Sequence, residues 1–172
     1  MSKKGIVLFL IAAGISVAFV QQATVLLIPG KGIENGYVTV GGSTSTEVKT
    51  KFGTAYKEVK HYTEISGSKK HFSTEYVYAK QGVSFYFKPD KDTVFCIKVK
   101  SPYKAKTEKG IVLGTSTMQE VRDAYGAAEF YSDDKYMFLE YPGIKFYTSS
   151  AKTEAEALKQ KVTVISIVEF VQ

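Results

Sequence analysis

A hydrolase triad needs an imidazole base, and the chain offers two, His61 and His71. Both are flanked by lysine and by strand-forming residues, as Lys60-His61-Tyr62 and Lys70-His71-Phe72. Two histidines without patterned acids or cysteines are a poor metal set, because zinc wants three or four ligands. Asp133-Asp134 lies between two strand-like runs and reads as a turn, where aspartate bonds its local backbone. No carboxylate pair stands out for glycoside hydrolysis. The glycine-serine stretches GGSTSTE and GTSTMQE lack the lysine that a phosphate-binding Walker loop requires. Cys96 is the only cysteine, so no internal disulfide forms. Set between Phe95 and Ile97, it reads as a small buried hydrophobe. The expectation is a protein that is not an enzyme and uses no metal or cofactor.

What organises the chain is a repeated stretch. Gly41 to Gly53, GGSTSTEVKTKFG, recurs without a gap as Gly114 to Gly126, GTSTMQEVRDAYG. Each copy spells a short amphipathic helix with marked ends. Thr44 with Glu47, and Thr117 with Glu120, fit the capping box, in which hydroxyl and carboxylate satisfy orphan N–H groups reciprocally. Val48 and Phe52, like Val121 and Tyr125, lie four residues apart and share a helical face. Gly53 and Gly126 stand where a left-handed C′ residue ends a helix. At two or three turns such helices are unstable alone and must pack on something else.

That something reads as strands. In the first half they are Glu58 to Ile65, Glu75 to Ala79, Val83 to Phe87 and Thr93 to Lys100. Turns punctuate them at Ser66-Gly67-Ser68, Lys80-Gln81-Gly82 and Pro89 to Asp92. The second half follows suit with Ala128 to Tyr131, Tyr136 to Tyr141, Ile144 to Tyr147 and Val162 to Phe170. Gly82, Val83, Phe85 and Tyr86 match Gly143, Ile144, Phe146 and Tyr147, while Val94 and Ile97 match Val162 and Ile165. Thr153 to Gln160 is an extra short helix with its own capping box at Thr153 and Glu156. The fold class is therefore α+β: two tandem repeats, each a short capped helix on an antiparallel sheet of about four strands. The divisions are residues 1–22 (signal peptide or membrane anchor), 23–100 (first repeat), 101–109 (linker) and 110–172 (second repeat). Both repeats are small enough to need shared packing.

Residues 1–22 begin with Lys3 and Lys4, then an apolar run and Ser16-Val17-Ala18, the layout of an export signal with a cleavage site. The alternative is an uncleaved tether through residues 5–28, long enough as a helix to span a bilayer. Either way the bulk of the chain faces away from the cytoplasm, periplasmic, extracellular or membrane-anchored. With no cysteine after the apolar run, a lipid anchor is excluded. A hydrophobic share of 44% is that of a globular protein. The net charge of +6 is spread over scattered lysines without a nucleic-acid motif, so no nucleic-acid partner is expected.

The chain is rich in Tyr (12) and Phe (11) and lacks Trp, which directs attention to the sheet faces. Alternation sets Val83, Phe85 and Phe87 against Tyr86, and Ile144 and Phe146 against Tyr147. In the later strands it sets Ile97 and Val99 against Val94 and Cys96, and Ile165 and Ile167 against Val162 and Val164. One face covers the helix and the other needs a cover, supplied by the second repeat or by a separate protein. Tyrosine-rich sheet faces suit protein recognition. Tyr86, Tyr147, Val94 and Val164 are the candidate protein-binding residues.

The pattern G-x-[ST]-x-x-[EQ]-V-x-x-x-[aromatic]-G followed by strands resembles the SmpA/OmlA-type envelope lipoproteins, which carry one such unit. It also resembles the beta-lactamase inhibitory proteins, which carry two in tandem. The resemblance implies an exported, non-enzymatic protein that binds another envelope or extracellular protein, as accessory subunit or inhibitor. The missing lipobox and the single cysteine depart from these families, so neither lipidation nor beta-lactamase inhibition carries over. Alternative readings are an anchored structural component of an envelope assembly, self-associating or built into a larger machine, and a small-molecule or lipid carrier.

Overall fold

The computed structural model describes residues 24–65, 68–132, 135–149 and 151–170. Residues 1–22, expected as a signal or anchor, and the expected turns at Ser66-Gly67 and Asp133-Asp134 lie outside them. The fold is mixed α+β and mostly strand, with two sheets and three α-helices among the described residues.

The small sheet comprises β1 (Val25–Ile28), β2 (Gly32–Ile33), β3 (Val38–Thr39) and β8 (Ala105–Thr107), in the order β3-β2-β1-β8. Its last pairing is parallel, matching Val25 with Ala105 and Leu27 with Thr107. Thus the stretch 101–109 between the halves contains a strand of its own. The end of the apolar stretch 5–28 is likewise strand, with Leu27 fully buried in the core.

The large sheet has eight strands. Its first half is β4 (Lys57–Ile65), β5 (Ser68–Tyr78), β6 (Val83–Lys88) and β7 (Lys91–Lys100). Its second half is β9 (Phe130–Ser132), β10 (Tyr136–Tyr141), β11 (Ile144–Ser149) and β12 (Val164–Val168). The spatial order is β4-β5-β6-β7-β12-β11-β10-β9, antiparallel throughout. The two sets of four strands, expected as separate sheets, are thus continuous through the β7–β12 pairing. That pairing satisfies edge N–H and C=O groups which two separate sheets would leave open.

Helices α1 (Ser45–Phe52) and α2 (Met118–Tyr125) lie on one face of the large sheet, over β7 and β11 respectively. Both capping boxes form. Thr44 Oγ1 accepts from the Glu47 N–H at 3.3 Å, and Glu47 Oε2 accepts from the Thr44 N–H at 2.8 Å. The Thr117–Glu120 distances are 3.2 and 2.6 Å. The short α3 (Glu154–Lys159) is capped by Thr153, but its box is incomplete: Glu156 accepts from the Lys152 N–H, one residue before the cap. The C-terminal glycines depart from the expected left-handed geometry. Gly53 (φ 85°, ψ −176°) and Gly126 (φ 101°, ψ 171°) combine positive φ with extended ψ, a region essentially restricted to glycine.

A single core joins these parts. Val48, Met118 and Val121 from the helices pack with Phe85, Ile97, Phe146 and Ile165 of the large sheet and with Leu27, Ile33 and Val38 of the small one. Phe52 lies 4.8 Å from Phe85, and Tyr125 lies 5.0 Å from Phe146, ring centre to ring centre. The small sheet docks through close backbone approach. The Gly30 N–H donates to the Gly143 carbonyl at 3.0 Å, and a Cβ on Gly143 would sit 2.4 Å from the Gly30 nitrogen.

Candidate protein-binding face

The helices and the small sheet cover one face of the large sheet. The opposite face is built from residues that alternate with the core. Three rows of cross-strand neighbours run over it. The middle row is Ser84, Lys98, Ser166, Lys145 and Glu140. On one side of it lies Lys100, Val164, Tyr147, Phe138 and Tyr131, and on the other Glu75, Tyr86, Cys96 and Val168.

Three of the four expected contact residues come together here. Tyr86, Tyr147 and Val164 line one groove of about 290 Å³ with Glu75, Ser84, Lys98, Lys100 and Tyr136. Val94 does not join them. A bulge shifts the β6–β7 register so that Tyr86 faces Cys96 while Phe87 faces Val94. The extra residue turns Val94 inward with Ile97 and Val99, where it is fully buried, and leaves Phe95 and Cys96 on the open side. Simple alternation had paired Val94 with Cys96. Val162, expected on the same face as Val164, precedes β12 and is buried in the core, while Val164 lines the groove on the open face.

The open face is aromatic and cationic. Tyr131 stacks on Phe138 at 5.5 Å, and Phe138 lies 5.1 Å from Tyr147. The Lys98 ammonium then bridges the gap between the halves, 5.6 Å from the Tyr147 ring and 5.4 Å from that of Tyr86. Tyr86 continues to His61 at 5.9 Å and to Phe95 at 6.3 Å. Phe72 and Tyr131, at the two flanks, are more than half exposed. A second groove, about 420 Å³, shares Tyr86, Lys98 and Tyr147 with the first and adds Phe95, Cys96, Lys145 and Ser166.

Charges on this face are held in defined states. Burial alone would push the Glu75 carboxyl up, but hydrogen bonds from Ser84, His61 and Tyr86 outweigh it and hold the group below its usual range. The His61 Nε2–Glu75 Oε2 distance is 2.8 Å. Burial, reinforced by the Glu75 charge, pushes the Tyr86 phenol up and keeps it neutral. Burial also pushes the Cys96 thiol up to about 11, a neutral and inert form at physiological pH. His71 bonds instead to Thr74 Oγ1 at 3.1 Å. Among the described residues no three His, Cys, Asp or Glu side chains gather as metal ligands.

Sequence reasoning set Lys145 on the face of Tyr147 but named neither it nor Lys98, Phe95 and Phe138 as contact residues. Lys98 carried a usable signal: it alternates with Cys96 and Lys100 on a strand whose other positions, Ile97 and Val99, are apolar.

No family model and no curated protein matches the chain. Among solved structures, the uncharacterized protein yfeY from Escherichia coli is similar over 86% of this chain and 100% of its own, with a TM-score of 0.53 and 13% identity. At that identity the likeness concerns the fold alone. A cysteine-rich secretory protein from Staphylococcus aureus aligns with 85% of this chain at a TM-score of 0.40 and 12% identity, and this chain spans 50% of it.

Proposed function

We propose that the chain is an exported, non-enzymatic binding module that grips another envelope or extracellular protein with the open face of its eight-stranded sheet. The observation that carries this reading is the aromatic ladder from Tyr131 through Phe138, Tyr147 and Lys98 to Tyr86, which crosses both halves without a covering element among the described residues. Tyrosine and phenylalanine supply large contact area at low entropic cost, the composition of binding hot spots. Export rests on the signal-like residues 1–22. The carrier reading has no observation behind it, because Val48, Phe52, Val121 and Tyr125 fill the space between helices and sheet.

The same proposal includes tandem duplication of a unit resembling the SmpA/OmlA and beta-lactamase inhibitory protein repeats. It is supported by hydrogen bonds that recur at matched positions. The Gly41 N–H donates to Val94 O at 2.7 Å, and the Gly114 N–H to Val162 O at 2.8 Å. The Thr39 N–H donates to Ser43 Oγ at 3.0 Å, and the Val112 N–H to Ser116 Oγ at 3.1 Å.

Site-specific photo-crosslinking in native envelope extracts tests the binding reading. Benzoylphenylalanine at Phe138 should capture one stoichiometric protein, and the same group at Lys104, beside the small sheet, should not. Capture should vanish in Tyr86→Ala/Tyr147→Ala with the fold intact. Equal capture from both positions, or capture indifferent to the tyrosines, would remove this face as the interface.

A further inference from the structure

The middle row of the open face contains an arrangement that packing does not explain. Ser166 on β12 is directly paired with Lys98 on β7 and with Lys145 on β11. It is 1% exposed, and its hydroxyl finds no nitrogen or oxygen partner, only the weakly bonding Cys96 thiol beside it. A buried hydroxyl so weakly paired is costly, and alanine or valine would fill a sheet position without that cost. The two lysines start about 10 Å apart, one strand spacing either side of Ser166, and their stems are long enough to converge above it. Tyr86, Tyr147 and Phe95 wall the resulting groove.

We infer that Lys98, Ser166 and Lys145 form a subsite for a carboxylate, supplied by an aspartate or glutamate side chain that the protein partner inserts into the groove. The inference rests on the protein-binding reading of this face and specifies the partner's chemistry. Lys98 has no acidic partner among the described residues and is held instead over two rings. Lys145 lies 2.9 Å from Glu140, but both side chains are partly exposed, so an incoming carboxylate exchanges readily with that pair. Glu75 is engaged by His61 and sits on the next row, and Glu169 is paired with Lys88. The Ser166 hydroxyl donates from the floor, and the lysines close from both sides. A free small anion would leave the ring walls wet, whereas a carboxylate on a peptide covers them with its own stem and neighbours.

The test is selection of a disulfide-constrained peptide library on the full chain, with affinities measured for the selected peptides. The expected result is an Asp or Glu at one fixed position. Its exchange for Asn or Gln should weaken binding tenfold or more, and so should Lys98→Met with Lys145→Met. Ser166→Ala should weaken binding about threefold without lowering the melting temperature, and Lys104→Met should have no effect. Peptides that need Tyr86 and Tyr147 but carry no acid overturn the carboxylate subsite and leave the binding face standing. Peptides indifferent to both tyrosines overturn the face as well. Full displacement by millimolar inorganic phosphate shows a small-anion site and overturns the assignment to a protein side chain.

Discussion

Tyr78 donates its hydroxyl to the carbonyl of Gly53 at 2.9 Å, tying the large sheet to the residue that ends α1. Tyr141 does the same for Gly126 at the end of α2, at 2.8 Å. Tyr78 is 2% exposed, so its hydroxyl has little recourse to water without this bond. Tyr78→Phe and Tyr141→Phe should each destabilise by about 1 to 2 kcal/mol, read from urea unfolding midpoints. A loss under about 0.3 kcal/mol in both would mean that the helices are held by apolar packing alone.

Thr44→Ala and Thr117→Ala should each cost about 1 kcal/mol, the usual worth of a helix N-cap. Serine at the same positions should restore most of it. Chemical denaturation of the four variants decides the matter. Gly53→Ala should cost more than the caps, because alanine is strained at φ 85° with extended ψ.

Glu75 gives the face a pH-dependent contribution to stability. Its carboxyl is held below the usual range in the folded chain, so the unfolded state takes up the proton first as pH falls. The stabilisation is complete above the unfolded value and is lost as pH drops through the folded one. Glu75→Gln should therefore be less stable than the parent at pH 7, with the gap narrowing toward pH 3. A gap that widens on acidification would contradict the assigned hydrogen bonds.

Cys96 should resist a thiol-exchange reagent at pH 8 in the folded protein and react quickly in denaturant. Burial and a thiol raised to about 11 both suppress the thiolate. Reaction at the rate of a free thiol under native conditions would mean that the floor of the groove opens readily.

Val94 and Val164 should part company on substitution. Val94→Ala should cost about 1 to 3 kcal/mol as a core truncation, whereas Val164→Ala, at a position that is 6% exposed but lines the groove outside the core cluster, should cost less and weaken binding as well. Equal stability losses would argue against the inward turn of Val94 at the bulge.

The features legible in the sequence were the local ones. The caps at Thr44 and Thr117, the turn at Lys80 to Gly82 and the strand Tyr136–Tyr141 are specified within a few residues, so pattern alone finds them. Non-local pairing was not legible. Nothing in SPYKAKTEK marks Ala105–Thr107 as a strand, because its partner is β1, far off in sequence and parallel. The union of two four-stranded sets depends on β7 meeting β12, which no local signal records. Of the binding face, Tyr86, Tyr147 and Val164 followed from period-two alternation. Val94 was misplaced because one extra residue in β7 reverses that alternation. Lys98 and Lys145 flank Ser166 only once three strands are aligned.

The β7–β12 seam also bears on how the chain matures. A strand made late closes the middle of the sheet, not its rim, so β7 emerges and pairs with β6 while its other side still awaits β12. During that interval the first half presents an open strand edge, the usual entry point for mispairing with another molecule. The lysines at 98 and 100 on that strand keep like edges apart. Slow, long-range closure is the folding step on which a chain of this topology depends, and chaperone demand should peak before β12 is in place.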